Sequence, residues 1–363
     1  MSASPTPRDY SLIGRDSRAA VENGLATAEW YKTEIPRKRM KELMQRSDGP
    51  AIRDTILWLG AFVVFGVGGY LAWGTWWAVP FFAGYGVLYG SSTDSRWHEC
   101  GHGTAFRTRW MNDVVYQVAC FMIMREPTIW RWSHTRHHTD TIIVGRDPEI
   151  AVPRPPNLFF VATNFIALRA TVTAVRKMVL HAAGRLTAEE RTFVPETEQA
   201  KVYGVARIWL AIHAAAIGSA LYFGSWLPVM YVGVLPTMYG AWLHVVFGLT
   251  QHAGLAEDVL DHRLNSRTVY MNPVFRFLYW NMNYHVEHHM FPMVPYHRLP
   301  ELHAIMKSDT PPPYPSTIAA YREIIPAILR QVRDPAWYVK RELPPSARAY
   351  RPELHGAVPA PAG

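Results

Sequence analysis

Charge is what this sequence holds least of. Asp, Glu, Lys and Arg make up 18% of its 363 residues, against about 25% in an average globular domain. None occurs between Thr55 and Thr93, and none between Ile208 and Ala256. Runs of that kind exclude an ordinary soluble domain, whose surface helices carry a charged face. The mean hydropathy of −0.06 confines the lipid-facing part to a portion of the chain.

Cysteine is nearly absent as well. Cys100 and Cys120 form no CxxC pair, which excludes a disulfide framework. Cys100 sits inside a histidine cluster, either as a thiolate ligand or, more plainly, as a small residue filling a helix between two ligands. Met1 to Leu12 lacks the apolar stretch of a signal peptide, so membrane insertion is expected from internal spans. No zinc-finger, RNA-recognition or basic-zipper spacing is present, so no nucleic-acid partner is expected. The net charge of +8 lies in basic stretches beside the apolar runs, a pattern suited to a membrane surface.

A helical span needs about 20 residues, so each uncharged run holds two. The expected fold is all-α and integral to the membrane. Four transmembrane helices, at about 55–73, 76–92, 208–223 and 226–248, form two hairpins beneath a cytoplasmic helical cap holding a di-metal site. Trp73, Trp76, Trp77 and Trp226 flank the two turns, as interfacial residues do. Region 94–207 is rich in Lys and Arg and the turns carry no charge. The positive-inside rule therefore puts that region and both termini in the cytoplasm. Residues 111–124 read as a buried or re-entrant segment and 157–168 as an interfacial helix, both too short to span.

Three divisions follow: a tail and basic interfacial segment at 1–49, a membrane domain at 50–305, and a Pro-rich tail at 306–363. Within them, 1–24 are expected to be loose and 29–48 to lie at headgroups. A short helix is expected near Thr317–Val332, with disorder in the last dozen residues.

Histidine is what the chain has in concentrated form. Eight of its 16 histidines fall in three clusters: His98 and His102; His134, His137 and His138; His285, His288 and His289. Spacings of three and four residues share one helical face. One HxxHH should arise by chance in roughly 3% of such chains, and two far less often. All three clusters fall on the same predicted side of the membrane. Imidazole suits zinc, copper, iron and nickel. Eight ligands exceed what one ion takes and suit two. His252, near the end of the last span, is a candidate ninth. Glu99, Asp140, Asp147 and Glu287, with Asp94, are candidates to accept the other imidazole N–H, as carboxylates do beside metal-bound histidine. His181, His213, His244, His262, His297, His303 and His355 have no partner at ligand spacing. Arg107, Arg109, Arg131 or Arg136 are candidates to hold an acyl headgroup.

His98-Glu99-Cys100-Gly101-His102, Ser133 to His138, and Asn283 to Pro292 resemble the three histidine boxes of membrane fatty-acid desaturases and their hydroxylase relatives. Asp147-Pro148-Glu149 fits too. The resemblance covers about residues 50–305 and implies a non-haem di-iron site with O2 as co-substrate. It also implies a fatty acid or fatty acyl thioester substrate and a separate electron donor of ferredoxin–reductase or cytochrome type. No His-Pro-Gly-Gly motif of a fused cytochrome b5 is present. Gly248 stands four residues before His252 where the stearoyl-CoA branch has Asn. Trp97 to Phe106, with Trp130 to His134, is similar to bacterial members, including the 1-alkene-forming branch; this implies a bacterial inner membrane. Double-bond formation leads as the expected reaction, with hydroxylation or oxidative decarboxylation to a terminal alkene as alternatives. A non-redox zinc hydrolase or transporter and a bis-histidine haem protein are readings of a different class.

Overall fold

The computed structural model describes residues 7–26 and 28–349. Among them there is no β-strand, only the isolated bridges Thr268–Tyr284 and Val269–Tyr314. The expected disordered last dozen residues and His355 lie outside the described residues.

The N-terminal arm departs from expectation. Helix α1 (Arg15–Glu22) buries Ala20, which with Leu25 packs on Ile143 and Leu260. Tyr10 donates to Glu257 at 2.9 Å. Apolar burial, invisible in a short polar sequence, thus fixes residues read as loose. Past α1 the chain runs extended, and Tyr31 and Thr33 both donate to Asp309 at 2.6 Å. Helix α2 (Arg37–Leu43) follows.

Helix α3 (Asp48–Leu71) has 24 residues, about 36 Å at 1.5 Å each. It exposes Ile56, Leu57, Val63, Val64, Val67 and Leu71 along one side. Gly74 turns the chain at φ 83°, with Trp76 and Trp77 exposed at the tip. The chain returns as α4 (Ala78–Gly86), a π-turn at Val87–Ser92, and α5 (Thr93–His102), helical without interruption. The π-turn has a steric context: a Cβ on Gly90 would meet backbone of Thr237 and Gly240 at 2.8 Å. Small residues allow such close backbone approach.

Next come α6 (Arg109–Met122), α7 (Pro127–Thr139), α8 (Leu158–Asn164) and α9 (Leu168–Ala182). Helix α6 buries Asn112, Tyr116 and Ala119 and exposes Trp110, Val114 and Val118. Helices α8 and α9 meet at 78°, with Ala167 left-handed at the bend. Helix α10 (Glu196–Phe223) is 28 residues long and ends on Gly224 at φ 57°.

The expected last span is not one helix. It is α11 (Leu227–Tyr231), α12 (Val234–Gly240) and α13 (Trp242–His252). Gly233, at φ 94°, and Pro236 break it. The freed backbone groups find partners: Tyr85 donates to Tyr231 O, Tyr239 to Met230 O, and Gly233 N–H to Tyr89 Oη. That is how broken helices persist where water is scarce. By length and apolarity, two helices can cross a membrane, those ending at Leu71 and Phe223, or three if the bent α8–α9 pair counts as one.

The chain continues with α14 (His262–Asn265), α15 (Pro273–Leu278), α16 (His285–Met290), α17 (Leu299–Met306) and α18 (Thr317–Arg333). Helix α18 lies where sequence placed it. Its Ala320, Ile324 and Ile328 pack on Leu249 and Ala253 of the α13 end, steadying the helix that carries His252.

Candidate metal centre

The residues of α5 are buried from Thr93 to Cys100, and Gly103 at φ 66° turns the chain away after His102. Helix α7 starts on Pro127 with the Glu126 carboxylate accepting from Ile129 N–H, a cap that sets where its histidines fall. Helix α16 has only six residues. Trp280 and Asn281, before it, are left-handed at φ 44° and 53°. Such a conformation in a bulky residue is uncommon and needs support. Trp280 is buried and stacked on Tyr296 at 4.5 Å, and Asn281 donates to Tyr296 O.

All nine sequence-selected histidines come together, in two adjoining groups. His98, His102, His134, His138 and His288 form one; His137, His252, His285 and His289 form the other. Within each, one ring nitrogen per residue lies within 4.8 Å of the rest. The rings of His138 and His289 stack at 4.5 Å where the groups touch. Cys100 joins neither group; it is buried among Tyr116, Ala119 and Cys120.

The hydrogen bonds fit a metal. His137 Nδ1 is 2.8 Å from Asp147 Oδ2, and His134 Nδ1 is 3.0 Å from Glu149 Oε2. His252 Nδ1–H donates to Asn265 O at 2.7 Å. His289 Nδ1 is 3.3 Å from Thr141 Oγ1. These contacts put the proton on Nδ1 and leave the Nε2 lone pair facing inward. Inward Nε2 atoms approach at 2.6 Å (His98–His288), 3.0 Å (His252–His285) and 3.2 Å (His134–His138). Lone pairs crowded at such distances repel unless a cation sits among them. The donor set is all nitrogen, with no carboxylate in either group, which suits iron, copper or zinc over calcium or magnesium.

Burial, then neighbouring histidines, push His98, His134, His138, His285 and His289 well below the ordinary imidazole range. Burial lowers His102 to about 4 and His252 to about 3. All seven are therefore neutral at pH 7, as ligands must be. His137 moves the other way: burial lowers it, but Asp147 outweighs burial. Burial raises Glu99 to about 8 and Glu149 to about 7.

The carboxylates sort themselves. Asp147 holds His137, and Glu99 lies 3.8 Å from His288 Nδ1. Asp140 and Glu287 touch no clustered histidine. Asp140 accepts from Arg146 at 3.0 Å, and Glu287 pairs with His303 at 2.6 Å while accepting from Thr268. Asp94 lies 3.2 Å from His244 and accepts from Trp97 and Arg125. Glu149 stands out in the sequence with Asp147-Pro148, but spacing assigns it no imidazole to hold. Spacing also misses Thr141 and the Asn265 carbonyl, whose role depends on backbone placement and leaves no residue-type signal. His262, unpartnered in sequence, lies 5.1 Å from His289.

A cavity of about 350 Å³ is walled by His98, His134, His137, His252 and His285. It shares Asp94, Arg125, Trp130, Ala241 and His244 with a second of about 540 Å³, lined by Ile123, Met124, Ile129, Met178 and Trp209. None of Arg107, Arg109, Arg131 and Arg136 lines either cavity; Arg125 does.

A family model described as fatty acid desaturase matches residues 72–321. The Glycine max endoplasmic-reticulum omega-6 fatty acid desaturase, isozyme 1, is 36% identical over 74 residues, 20% of this chain and 19% of that protein. The Punica granatum Delta(12)-acyl-lipid-desaturase is 34% identical over 89 residues, 24% and 20% of the two chains. The Caenorhabditis elegans Delta(5) fatty acid desaturase is 26% identical over 239 residues, 58% of this chain and 53% of that protein. The matches thus span from about a fifth to about half the length of these relatives.

Proposed function

The chain belongs to the fatty acid desaturase family, and from that membership and the geometry above we propose that it is an O2-dependent oxidoreductase that introduces a double bond into a fatty acyl chain. The carrying observation is the pair of adjoining imidazole groups opening on one cavity. The reaction is CH2–CH2 + O2 + 2 electrons + 2 H⁺ → CH=CH + 2 H2O. Two iron ions held by the nine histidines would supply the oxygen activation that unactivated C–H bonds demand. The protein's share is to bind, orient and exclude. Asp147, Glu149, Asn265 and Thr141 fix the tautomer and angle of four imidazoles. The apolar walls of the adjoining cavities suit an extended acyl chain, supplied as a free acid or a thioester.

The reading includes a four-span topology with the cap and both termini in the cytoplasm, the domain limits given above, and a separate electron donor. The exposed apolar faces of α3 and α10 and the Trp-bearing turns support it. The test is metal analysis of the purified protein with mass spectrometry of products from a labelled fatty acid. Two irons per chain and an internal alkene are expected. Zinc without iron overturns the reading. An alcohol or a terminal alkene one carbon shorter keeps the iron site and replaces the reaction.

A further inference from the structure

Trp30 sits half-buried on the extended segment between α1 and α2. Its Nε1–H donates to Thr139 O at 2.9 Å, at the end of α7. Its ring lies flat on His262, with centroids 4.3 Å apart and planes 9° apart. His262 is buried, and its ring lies 5.1 Å from that of His289 in the four-imidazole group. Three rings thus run from the protein surface to a metal-facing imidazole with no aliphatic gap between them.

Trp30 also packs against the small core of Ala20, Leu25, Ile143 and Leu260, but that packing does not call for a flat stack on a buried imidazole. Neither Trp30 nor His262 lines either cavity, and His262 Nδ1 has no hydrogen-bond partner. The surroundings favour a negatively charged visitor. Lys32 is exposed and near enough for its charge to bear on His262. Arg37, Lys38 and Lys41 are exposed on α2. Against them stand Glu29 and Glu34, and Glu34 is already paired with Arg348.

We propose that Trp30 and His262 form the route by which an acidic one-electron carrier protein, iron–sulfur or haem, delivers electrons to the four-imidazole group through His289. The route rests on the di-iron reading above. Each carrier is oxidised by one electron, two deliveries supply the pair the reaction consumes, and no bond forms or breaks in the transfer. Electron tunnelling weakens steeply with each ångström of gap, so a stacked pair of rings followed by a tilted one at 5.1 Å makes a short electronic path from this surface. Opposite charge brings the carrier to it and makes the encounter salt-sensitive.

The test uses the full chain in nanodiscs, loaded with iron, with Trp30→Phe and Trp30→Leu beside the wild type. Reduced plant-type ferredoxin is the probe. Anaerobic stopped-flow absorbance reads the rate of metal reduction at low and high salt. Iron content and reduction by dithionite, a small reductant that needs no docking surface, are read on the same samples. The Leu variant should be slowed at least about tenfold with ferredoxin and unchanged with dithionite, the Phe variant should stay within about threefold, and the wild-type rate should fall with salt. Equal rates for wild type and the Leu variant overturn the route alone. Loss of iron from both variants also overturns it, by making Trp30 a structural plug. A wild-type chain holding no redox metal overturns both the route and the proposed function.

Discussion

In α7 the histidines one turn apart, His134 and His138, face the five-imidazole group, and His137 faces the other. In α16 the turn-spaced pair, His285 and His289, faces the four-imidazole group, and His288 crosses to the first. At about 100° per residue, positions i and i+4 are about 40° apart, while i+3 lies about 60° to the other side of i. An HxxHH helix therefore stands between two points and serves both. The remaining ligands make the groups unequal. Helix α5 adds the pair His98 and His102 to one group; α13 adds only His252 to the other. One turn before His252 stands Gly248, which has open space beyond it and lines the cavity. The four-imidazole group is thus the one with fewer ring nitrogens and with open space beside it.

The sharpest way to break this comparison is to remove a ligand from each group. His288→Ala and His285→Ala should each lower product formation more than about a hundredfold, beyond the usual cost of losing a hydrogen-bond partner behind a ligand. Turnover retained in both would sink the shared site. His252→Ala should separate the groups, leaving about one iron per chain because the five-imidazole set is intact.

A smaller effect is expected one bond further out. Asp147→Asn acts on His137 in one group and Glu149→Gln on His134 in the other. Each should cost about 10–100-fold in metal affinity or activity. Metal titration of the two variants should show weakening in different groups; weakening of the same group in both would refute the assignment.

The smallest expected effect sharpens the role of the open side. Gly248→Leu should fill cavity space without touching a ligand, lowering turnover by a few-fold with iron content unchanged. Iron loss equal to that of His252→Ala would mean that Gly248 shapes the ligand set and leaves the cavity unaffected.

Much of the site was legible because its signal is local. Helical spacing places His134, His137 and His138, or His285, His288 and His289, on one face whatever surrounds them. The partners of those rings were legible only in part. Asp147 follows its helix closely and reaches His137, whereas Asp140 follows more closely still and turns to Arg146 and Arg136. The direction of a turn after α7 decides between them, and residue type does not encode it. The break in the last span was hidden for a related reason. Hydropathy sees only apolar content, and Gly233 and Pro236 break the helix while tyrosines from α4, the π-turn and α12 satisfy the freed backbone.

The sequence by itself determined that helices would carry three histidine clusters beside long uncharged runs, because period and hydropathy are properties of neighbours along the chain. Tertiary structure alone decided that nine imidazoles divide into five and four. It also decided that Glu149 and Asn265 stand behind them, and that the basic segment expected at headgroups lays Trp30 on His262. Those contacts join residues far apart in the chain, and only packing brings them within reach.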